Sequence, residues 1–221
     1  MTDSLARVIE QRSVWSQDGK ESPCLGLLPD VTGVILAGGA SRRMGSNKAV
    51  LPYGGTTLIE RIYRQISTLC GEVMVVTNSP EVYPFLPCPK VQDIHPGRGP
   101  LAGIHAALSH SKTGYILAVA CDMPWINPDL VRGLASGREG WDVIVPEGEK
   151  GMEPLHALYS TRCLPAVEKA LSDHRGRIVS FFDEVRVKVL LLSETAELDP
   201  GLRAFRNINT VQDYLALDPR A

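Results

Sequence analysis

Short apolar runs alternate along this chain with stretches whose apolar residues recur at helical spacing. The apolar runs have the length of β-strands, and turn residues or polar loops follow them. Runs that are apolar at every position are typical of parallel strands with both faces covered. Strands are predicted at 33–37, 73–77, 90–93, 115–120, 142–145 and 185–192.

Helices are predicted between these strands. The apolar residues from Leu58 to Leu69 lie on one helical face, and Thr57 with Glu60 forms a capping box at its start. Further helices are predicted at 101–108, 127–134 and 164–171. The alternation of strands and helices predicts an α/β fold, a single three-layer αβα domain with a mostly parallel sheet.

The domain organisation follows from the distribution of polar residues. Residues 1–30 are polar and show little periodicity, so they are predicted to be a mobile N-terminal extension, with the domain at 31–221. Residues 146–152 combine two glycines with mixed charge and are predicted to be a mobile loop. A domain of this size buries roughly 70% of the surface of its unfolded chain, which is enough for a substantial core.

Charge and cysteine content exclude several classes of protein. The net charge is −2, whereas a nucleic-acid-binding domain is usually strongly basic. No apolar run approaches the ~20 residues that span a membrane. The five cysteines are widely spaced and include no C-x-x-C pair, which argues against a disulfide framework or a zinc site. We therefore expect a cytoplasmic protein with no nucleic-acid or membrane partner.

The most informative stretch begins where the first predicted strand ends. Gly38 and Gly39 allow a ligand to approach the backbone closely, and Arg42, Arg43 and Lys48 supply positive charge. Backbone N–H groups combined with cations are typical of a polyphosphate site. The spacing matches neither the P-loop, where lysine directly follows the last glycine, nor the dinucleotide fingerprint G-x-G-x-x-G.

Asp122 stands just beyond the apolar strand predicted at 115–120. Ligands of open α/β sheets bind outside the carboxyl ends of the strands. A carboxylate at that place repels polyphosphate unless a cation lies between them, and Mg²⁺ is typically held by one or two carboxylates together with substrate phosphates. Asp122 is therefore the predicted metal ligand and Mg²⁺ the predicted cofactor. The neighbouring Cys121 is interpreted as a small structural residue and not as a nucleophile.

These motifs resemble a known family. The stretch L-A-G-G-A-S-R-R-M-G-S-N-K at 36–48 resembles the opening motif of molybdenum cofactor guanylyltransferases. The segments G-P-L-A-G-I at 99–104, C-D-M-P at 121–124 and N-I-N-T at 207–210 are similar to the same family, so the resemblance extends over 32–217. It implies a Rossmann-like nucleotidyltransferase fold. It also implies transfer of GMP from GTP to molybdenum-loaded molybdopterin, which forms the molybdopterin guanine dinucleotide cofactor and pyrophosphate.

The resemblance also implies roles for single residues. Arg43 and Lys48 would neutralise phosphate charge and, with Asp122, form the catalytic set. The nucleotide would be bound by Leu36, Ala37, Gly38, Gly39, Lys48, Asn78, Asp93 and Asp122. The second substrate would be bound by Gly99, Pro100, Leu101, Gly103, His156, Asn207 and Asn209. Other molybdenum cofactor proteins or apo-molybdoenzymes are expected as further partners.

Several alternatives stay open at this point. Asn78 is equally well explained as a turn residue, and His156 as a structural histidine. The basic turn at 174–177 suits either a pterin phosphate or a solvated helix end. The nearest alternative function is a molybdopterin cytidylyltransferase or another NTP-dependent nucleotidyltransferase. The other is a non-catalytic molybdopterin carrier.

Overall fold

A sheet of eight strands runs through the middle of the part of the chain that the structure describes. The structure is a computed structural model, and it describes residues 14–15, 21–22, 27–38 and 47–216. The strands are β1 Val14–Trp15, β2 Glu21–Ser22, β3 Leu28–Leu36, β4 Pro52–Tyr53, β5 Thr56–Thr57, β6 Cys70–Val76, β7 Lys90–Val91, β8 Tyr115–Ala120, β9 Val143–Gly148, β10 Gly151–Met152, β11 His156–Ser160 and β12 Val187–Leu190. The helices are α1 Leu58–Ser67, α2 Pro100–His110, α3 Pro128–Ser136, α4 Leu164–Ser172, α5 Leu192–Leu198 and α6 Val211–Leu215.

The strand order in the main sheet is β10-β9-β11-β8-β3-β6-β7, and β12 also pairs with β9. β8, β3, β6 and β7 are mutually parallel, and β12 is parallel to β9. β11 is antiparallel to both β8 and β9, and β10 is antiparallel to β9. The predicted mostly parallel sheet is confirmed.

Helices cover both faces of this sheet. Alternate side chains of β3 point to opposite faces, so Ile35 packs in the cluster with α1 and α3, and Val34 packs in the cluster with α2 and α4. Gly33 lies on the α1 face, where a Cβ would come within 2.1 Å of Ile66. The absence of a side chain at this position therefore lets α1 lie close to the central strand. The predicted three-layer αβα fold is confirmed.

Local sequence signals explain where the helices begin. Thr57 accepts a hydrogen bond from the Glu60 amide at 3.3 Å, and the Glu60 carboxylate accepts one from the Thr57 amide at 2.8 Å. Asn127 accepts a hydrogen bond from the amide of Asp129 at 2.9 Å, with Pro128 in the first turn. Both predicted caps are confirmed, and they satisfy amide groups that have no partner within a helix.

Several predicted boundaries differ from the structure. Residues 146–152 are not a loop, because β9 continues to Gly148 and pairs with β10 in a tight hairpin. The strand predicted at 185–192 is confined to β12, and α5 begins at Leu192. β3 begins at Leu28, inside the mobile extension predicted at 1–30. Most of the rest of that extension lies outside the described residues. None of the described helices has the length and apolar character of a membrane span.

A buried carboxylate joins β9 to two neighbouring segments. Asp142, which directly precedes β9, accepts hydrogen bonds from Arg162 Nε at 2.9 Å and from the backbone amide of Arg186 at 3.0 Å. Burial by itself raises the pKa of Asp142, but the bonds from Arg186 and Arg162 outweigh it and lower the pKa from 3.8 to about 2. The ionised form therefore stabilises the fold above pH ~4, and this contribution is lost as the pH falls towards the lowered pKa.

We expect Asp142→Asn to lower the free energy of unfolding by about 1–2 kcal/mol at pH 7. The difference from the unmodified chain should shrink as the pH falls from about 4 towards 2, because the carboxylate is then protonated. Urea denaturation at several pH values measures both effects. Asp173→Asn is the matched control, because Asp173 pairs with Arg175 at an exposed position. An equal loss in the two variants would contradict a special role for Asp142.

Candidate active site

Four parallel strands end in register at one edge of the sheet. Their last residues pair in the order Ala120, Leu36, Val76 and Val91 across β8, β3, β6 and β7. Each strand is followed, two residues later, by a residue that the sequence predicts to bind nucleotide. These residues are, in the same order, Asp122, Gly38, Asn78 and Asp93. The register therefore sets the predicted nucleotide residues in one row along the sheet edge.

At the centre of this row, backbone hydrogen bonds join the end of β3 to the ends of β8 and β6. The Cys121 amide donates to the Leu36 carbonyl at 3.2 Å, and the Ala37 amide donates to the Val76 carbonyl at 2.9 Å. Gly38 is exposed, and no atom of the described residues lies within 4 Å of the position a Cβ would occupy there. Within the described part of the chain, the backbone that leaves β3 is therefore open to a ligand, directly beside the segment that carries Asp122.

Two further segments approach the same place. Lys48 begins a 3-10 turn at Lys48–Val50, and its Nζ donates to Asn209 Oδ1 at 3.2 Å. The Ile208 amide donates to the Asp122 carbonyl at 2.9 Å, and the Ile208 side chain is buried. The structure thus brings together Lys48, Asp122 and Asn209, which belong to three separate motifs.

Two opposite effects act on the pKa of Asp122. Burial raises the pKa of Asp122 above its ordinary value, and the nearby positive charge of Lys48 works in the other direction. A half-buried carboxylate of this kind is stabilised in its ionised form by any added cation. Burial also raises the pKa of the Cys121 thiol to about 12, so the thiol stays protonated and is a poor nucleophile at neutral pH.

The outer end of the row is held by a side-chain contact. The Asp93 amide donates to Asn78 Oδ1 at 2.9 Å, and the Asp93 carboxylate accepts a bond from the His95 amide at 2.7 Å. Asn78 therefore fixes the segments that follow β6 and β7 to each other. This contact is compatible with a nucleotide site, and it also gives Asn78 a structural function.

A cleft of about 760 Å³ lies beside this row. Gly99, Pro100 and Asn207, which the sequence predicts for the second substrate, line it. Its remaining lining residues are Gly97, Arg98, Met123, Met152, Glu153, Pro154, Leu155, His174, Gly176, Arg177, Ile178 and Val179. The cleft adjoins Asp122 through Met123, and three residues of the basic turn at 174–177 contribute to its wall.

Two glycines allow the two loops of the cleft wall to lie in close backbone contact. A Cβ on Gly176 would lie 2.3 Å from the Arg98 carbonyl oxygen, and one on Gly99 would lie 2.9 Å from the Gly176 carbonyl oxygen. Gly99 also has a φ of +75°, a conformation that favours glycine. The Leu101 amide donates to the Gly176 carbonyl at 3.3 Å, which fixes the start of α2 to the basic turn.

Comparison with known proteins identifies the family. The model of the MobA-like NTP transferase domain matches residues 33–187, more than half of the chain. The chain belongs to this family. It is a nucleotidyltransferase, and the predicted family membership is confirmed.

Individual relatives agree with this assignment. The molybdenum cofactor guanylyltransferase of Desulfosudis oleivorans is 38% identical over 187 residues, which cover 83% of this chain and 92% of that protein. The probable molybdenum cofactor guanylyltransferase of Pelotomaculum thermopropionicum is 40% identical over 184 residues, with coverage of 83% and 90%. The crystal structure of molybdopterin-guanine dinucleotide biosynthesis protein A from Archaeoglobus fulgidus has a TM-score of 0.72 and 28% identity, with coverage of 82% and 94%. The predicted Rossmann-like nucleotidyltransferase fold is confirmed.

Three of the residues predicted for the second substrate are buried or lie at a packing contact in this MobA-like chain. His156 is fully buried, which favours its interpretation as a structural histidine. Burial lowers its pKa to about 4, and its ring lies edge-on to Phe205 at 5.6 Å. Leu101 is also fully buried and belongs to the core. Gly103 packs against the sheet, where a Cβ would lie 3.1 Å from Leu36, and so serves helix packing.

Two predicted site residues lie in a part of the chain that the structure does not describe, and two residues that line the cleft were not predicted. The predicted Gly39 and Arg43 lie outside the described residues. Sequence patterns gave no indication of the apolar cleft residues Ile178 and Val179, which belong to a 3-10 segment at Ile178–Glu184 without strand or helix periodicity. The basic residues at 174–177 were the signal that pointed to this wall of the cleft.

We expect Gly176→Ala to lower the free energy of unfolding by about 1–3 kcal/mol, because the new methyl group must displace the Arg98 backbone. Gly114→Ala is the matched control, since its added Cβ has no atom within 4 Å among the residues that the structure describes. Urea denaturation gives the stability of both variants. Amide hydrogen exchange of residues 95–101 shows whether this loop has separated from the loop that contains Gly176. If Gly176→Ala is as stable as the control, the close contact between the two loops is not formed in solution.

Proposed function

We propose that this nucleotidyltransferase transfers GMP from GTP to molybdenum-loaded molybdopterin. The products are molybdopterin guanine dinucleotide and pyrophosphate. The observation that carries the proposal is the meeting of Lys48, Asp122 and the 207–209 segment at the in-register ends of β3 and β8. The names of the relatives from Desulfosudis and Pelotomaculum support the choice of GTP and molybdopterin as substrates.

The chemistry requires an attacking phosphate and a leaving pyrophosphate. An oxygen of the terminal pterin phosphate attacks the α-phosphorus of GTP, the new P–O–P bond forms, and the bond from the α-phosphorus to the bridging β-oxygen breaks. A phosphate monoester has a second pKa near 6, so the attacking group is mostly dianionic at pH 7. No general base is therefore needed, which agrees with the high pKa of the Cys121 thiol and the burial of His156.

The chain's own residues supply positioning and charge. The exposed backbone at Gly38 receives the nucleotide phosphates, and the ammonium group of Lys48 neutralises their charge. Asn78 and Asp93 bind the nucleoside end of the row. Asn207 and the cations Arg98 and Arg177 of the cleft bind the pterin substrate and its phosphate. We also assign Gly39 and Arg43 to the phosphates, and Gly99 and Pro100 to the pterin.

The oxygen donors near Asp122 suit Mg²⁺. Asp122 supplies a half-buried carboxylate, and Asn209 supplies a carboxamide oxygen on the neighbouring segment. The described residues contain no group of three or more His, Cys, Asp or Glu side chains that would form a complete cage. This pattern fits Mg²⁺, which keeps water and substrate phosphates among its ligands. Bound there, Mg²⁺ would neutralise charge on the triphosphate.

The first test is a turnover assay with Mg²⁺, molybdenum-loaded molybdopterin and each of GTP, CTP, ATP and UTP. We expect a guanine dinucleotide and pyrophosphate with GTP alone, identified by product mass and by pyrophosphate release. A cytosine product would keep the proposed chemistry and overturn the choice of base. Tight binding of molybdopterin without pyrophosphate from any nucleotide would favour the carrier function.

Lys48→Ala should lower kcat by on the order of 10²-fold or more, as the loss of one preorganised charged donor does in other enzymes. Steady-state kinetics with GTP and the pterin substrate measure this effect. Lys112→Ala is the matched control, because this exposed lysine precedes β8 at the opposite end of the sheet. Turnover that is unchanged in Lys48→Ala would remove the residue from the mechanism.

A further inference from the structure

A buried tyrosine lies next to the polypeptide segment that carries Lys48. Tyr83 follows the 3-10 turn Pro80–Val82 and is only 1% exposed. Its ring belongs to the apolar cluster that also contains Ala49 and Ile59. The ring is therefore held by the core, and its hydroxyl group has a fixed position.

The hydroxyl of Tyr83 binds a residue adjacent to Lys48. Asn47 Nδ2 donates to the Tyr83 hydroxyl oxygen at 2.8 Å. Asn47 Oδ1 accepts a bond from the Ala49 amide at 3.1 Å and so caps the 3-10 turn Lys48–Val50. Burial raises the pKa of Tyr83, so the hydroxyl is neutral and its oxygen accepts the amide proton. One side chain thus joins the turn to the core at a defined point.

The backbone of Lys48 is restrained on both sides as a result. Asn47 before it is bound to Tyr83, and Ala49 after it is fully buried. The Leu51 amide closes the turn on the Lys48 carbonyl at 3.1 Å. The exposed Nζ, which donates to Asn209, therefore extends from a backbone position that a residue 35 positions further along the chain helps to fix.

We propose that Tyr83 is a positioning residue for the transfer reaction and acts on Lys48 through the side chain of Asn47. The inference rests on the proposed role of Lys48 in guanylyl transfer. Tyr83 itself touches no substrate, because its side chain is buried. Its hydroxyl keeps the turn in the orientation that directs the lysine ammonium to the reacting phosphates.

The test uses two substitutions that remove the same hydrogen bond from opposite sides. Tyr83→Phe keeps the buried ring and deletes the hydroxyl. Asn47→Ser keeps an oxygen that caps the turn but is too short to reach Tyr83. Tyr115→Phe is the matched control, because it deletes a hydroxyl that binds the Arg138 and Trp141 carbonyls at the amino end of β8, away from the site.

Hydrogen exchange tests the positioning without reference to activity. In Tyr83→Phe and Asn47→Ser we expect faster amide exchange in a peptide covering residues 49–51, whose amides close the turn. Tyr115→Phe should leave that peptide unchanged. Unchanged exchange in Tyr83→Phe would overturn the proposal even if the variant were less stable.

Kinetics test the connection to Lys48. We expect Tyr83→Phe to lower kcat about tenfold with a change of less than about threefold in the KM for GTP, since a misplaced group acts mainly on the transition state. The double variant with Asn47→Ser should be no slower than either single variant, because both remove one interaction. In a Lys48→Ala background, Tyr83→Phe should cause no further loss. Additive losses in either combination would refute action through Asn47 and Lys48.

The failure of the two proposals can be distinguished. If the unmodified chain makes no guanine dinucleotide but Tyr83→Phe still accelerates exchange at 49–51, the proposed function fails and the structural connection stands. If the unmodified chain is active and Tyr83→Phe changes neither exchange nor kcat, only the positioning proposal fails.

Discussion

The candidate site depends on the register of four parallel strands. Because β8, β3, β6 and β7 end at paired residues, the residue two positions beyond each strand lies at the same level of the sheet edge. A shift of one residue would turn the apolar side chains of β3 to the opposite faces, and α1 and α2 would lose their contacts. The packing that stabilises the core therefore also sets Asp122, Gly38, Asn78 and Asp93 in a row.

The electrostatics of the site follow from this placement. A carboxylate at the buried edge is unfavourable when ionised, and the pKa of Asp122 is raised accordingly. Lys48 offsets part of this cost, although its Nζ is shared with the neutral carboxamide of Asn209. Among the described residues, the charge of Asp122 is thus only partly neutralised. A triphosphate together with a divalent cation would satisfy both the exposed backbone at Gly38 and the carboxylate.

Sequence reasoning was accurate where local chemistry decides the structure. Apolar runs located the central strands, and the Thr57 and Asn127 caps located two helix starts, because these signals act within a few residues. It was wrong for 146–152, where glycine and mixed charge also suit a hairpin. It left two interpretations of His156 open, because the surroundings of this side chain include Phe205, far along the chain. The cleft and the bond from Asn47 to Tyr83 were not predictable, because each requires contact between distant segments.

The 207–209 segment connects the two subsites that we propose for the substrates. Successive side chains of an extended segment point in opposite directions, so Ile208 points into the core and Asn207 and Asn209 both lie on the exposed face. Asn209 contacts Lys48 in the nucleotide row, whereas Asn207 lines the cleft. The bond from the Ile208 amide to the Asp122 carbonyl holds this segment to the end of β8. A single short segment therefore sets the separation between the two proposed subsites, and the proposed transfer between bound substrates depends on that separation.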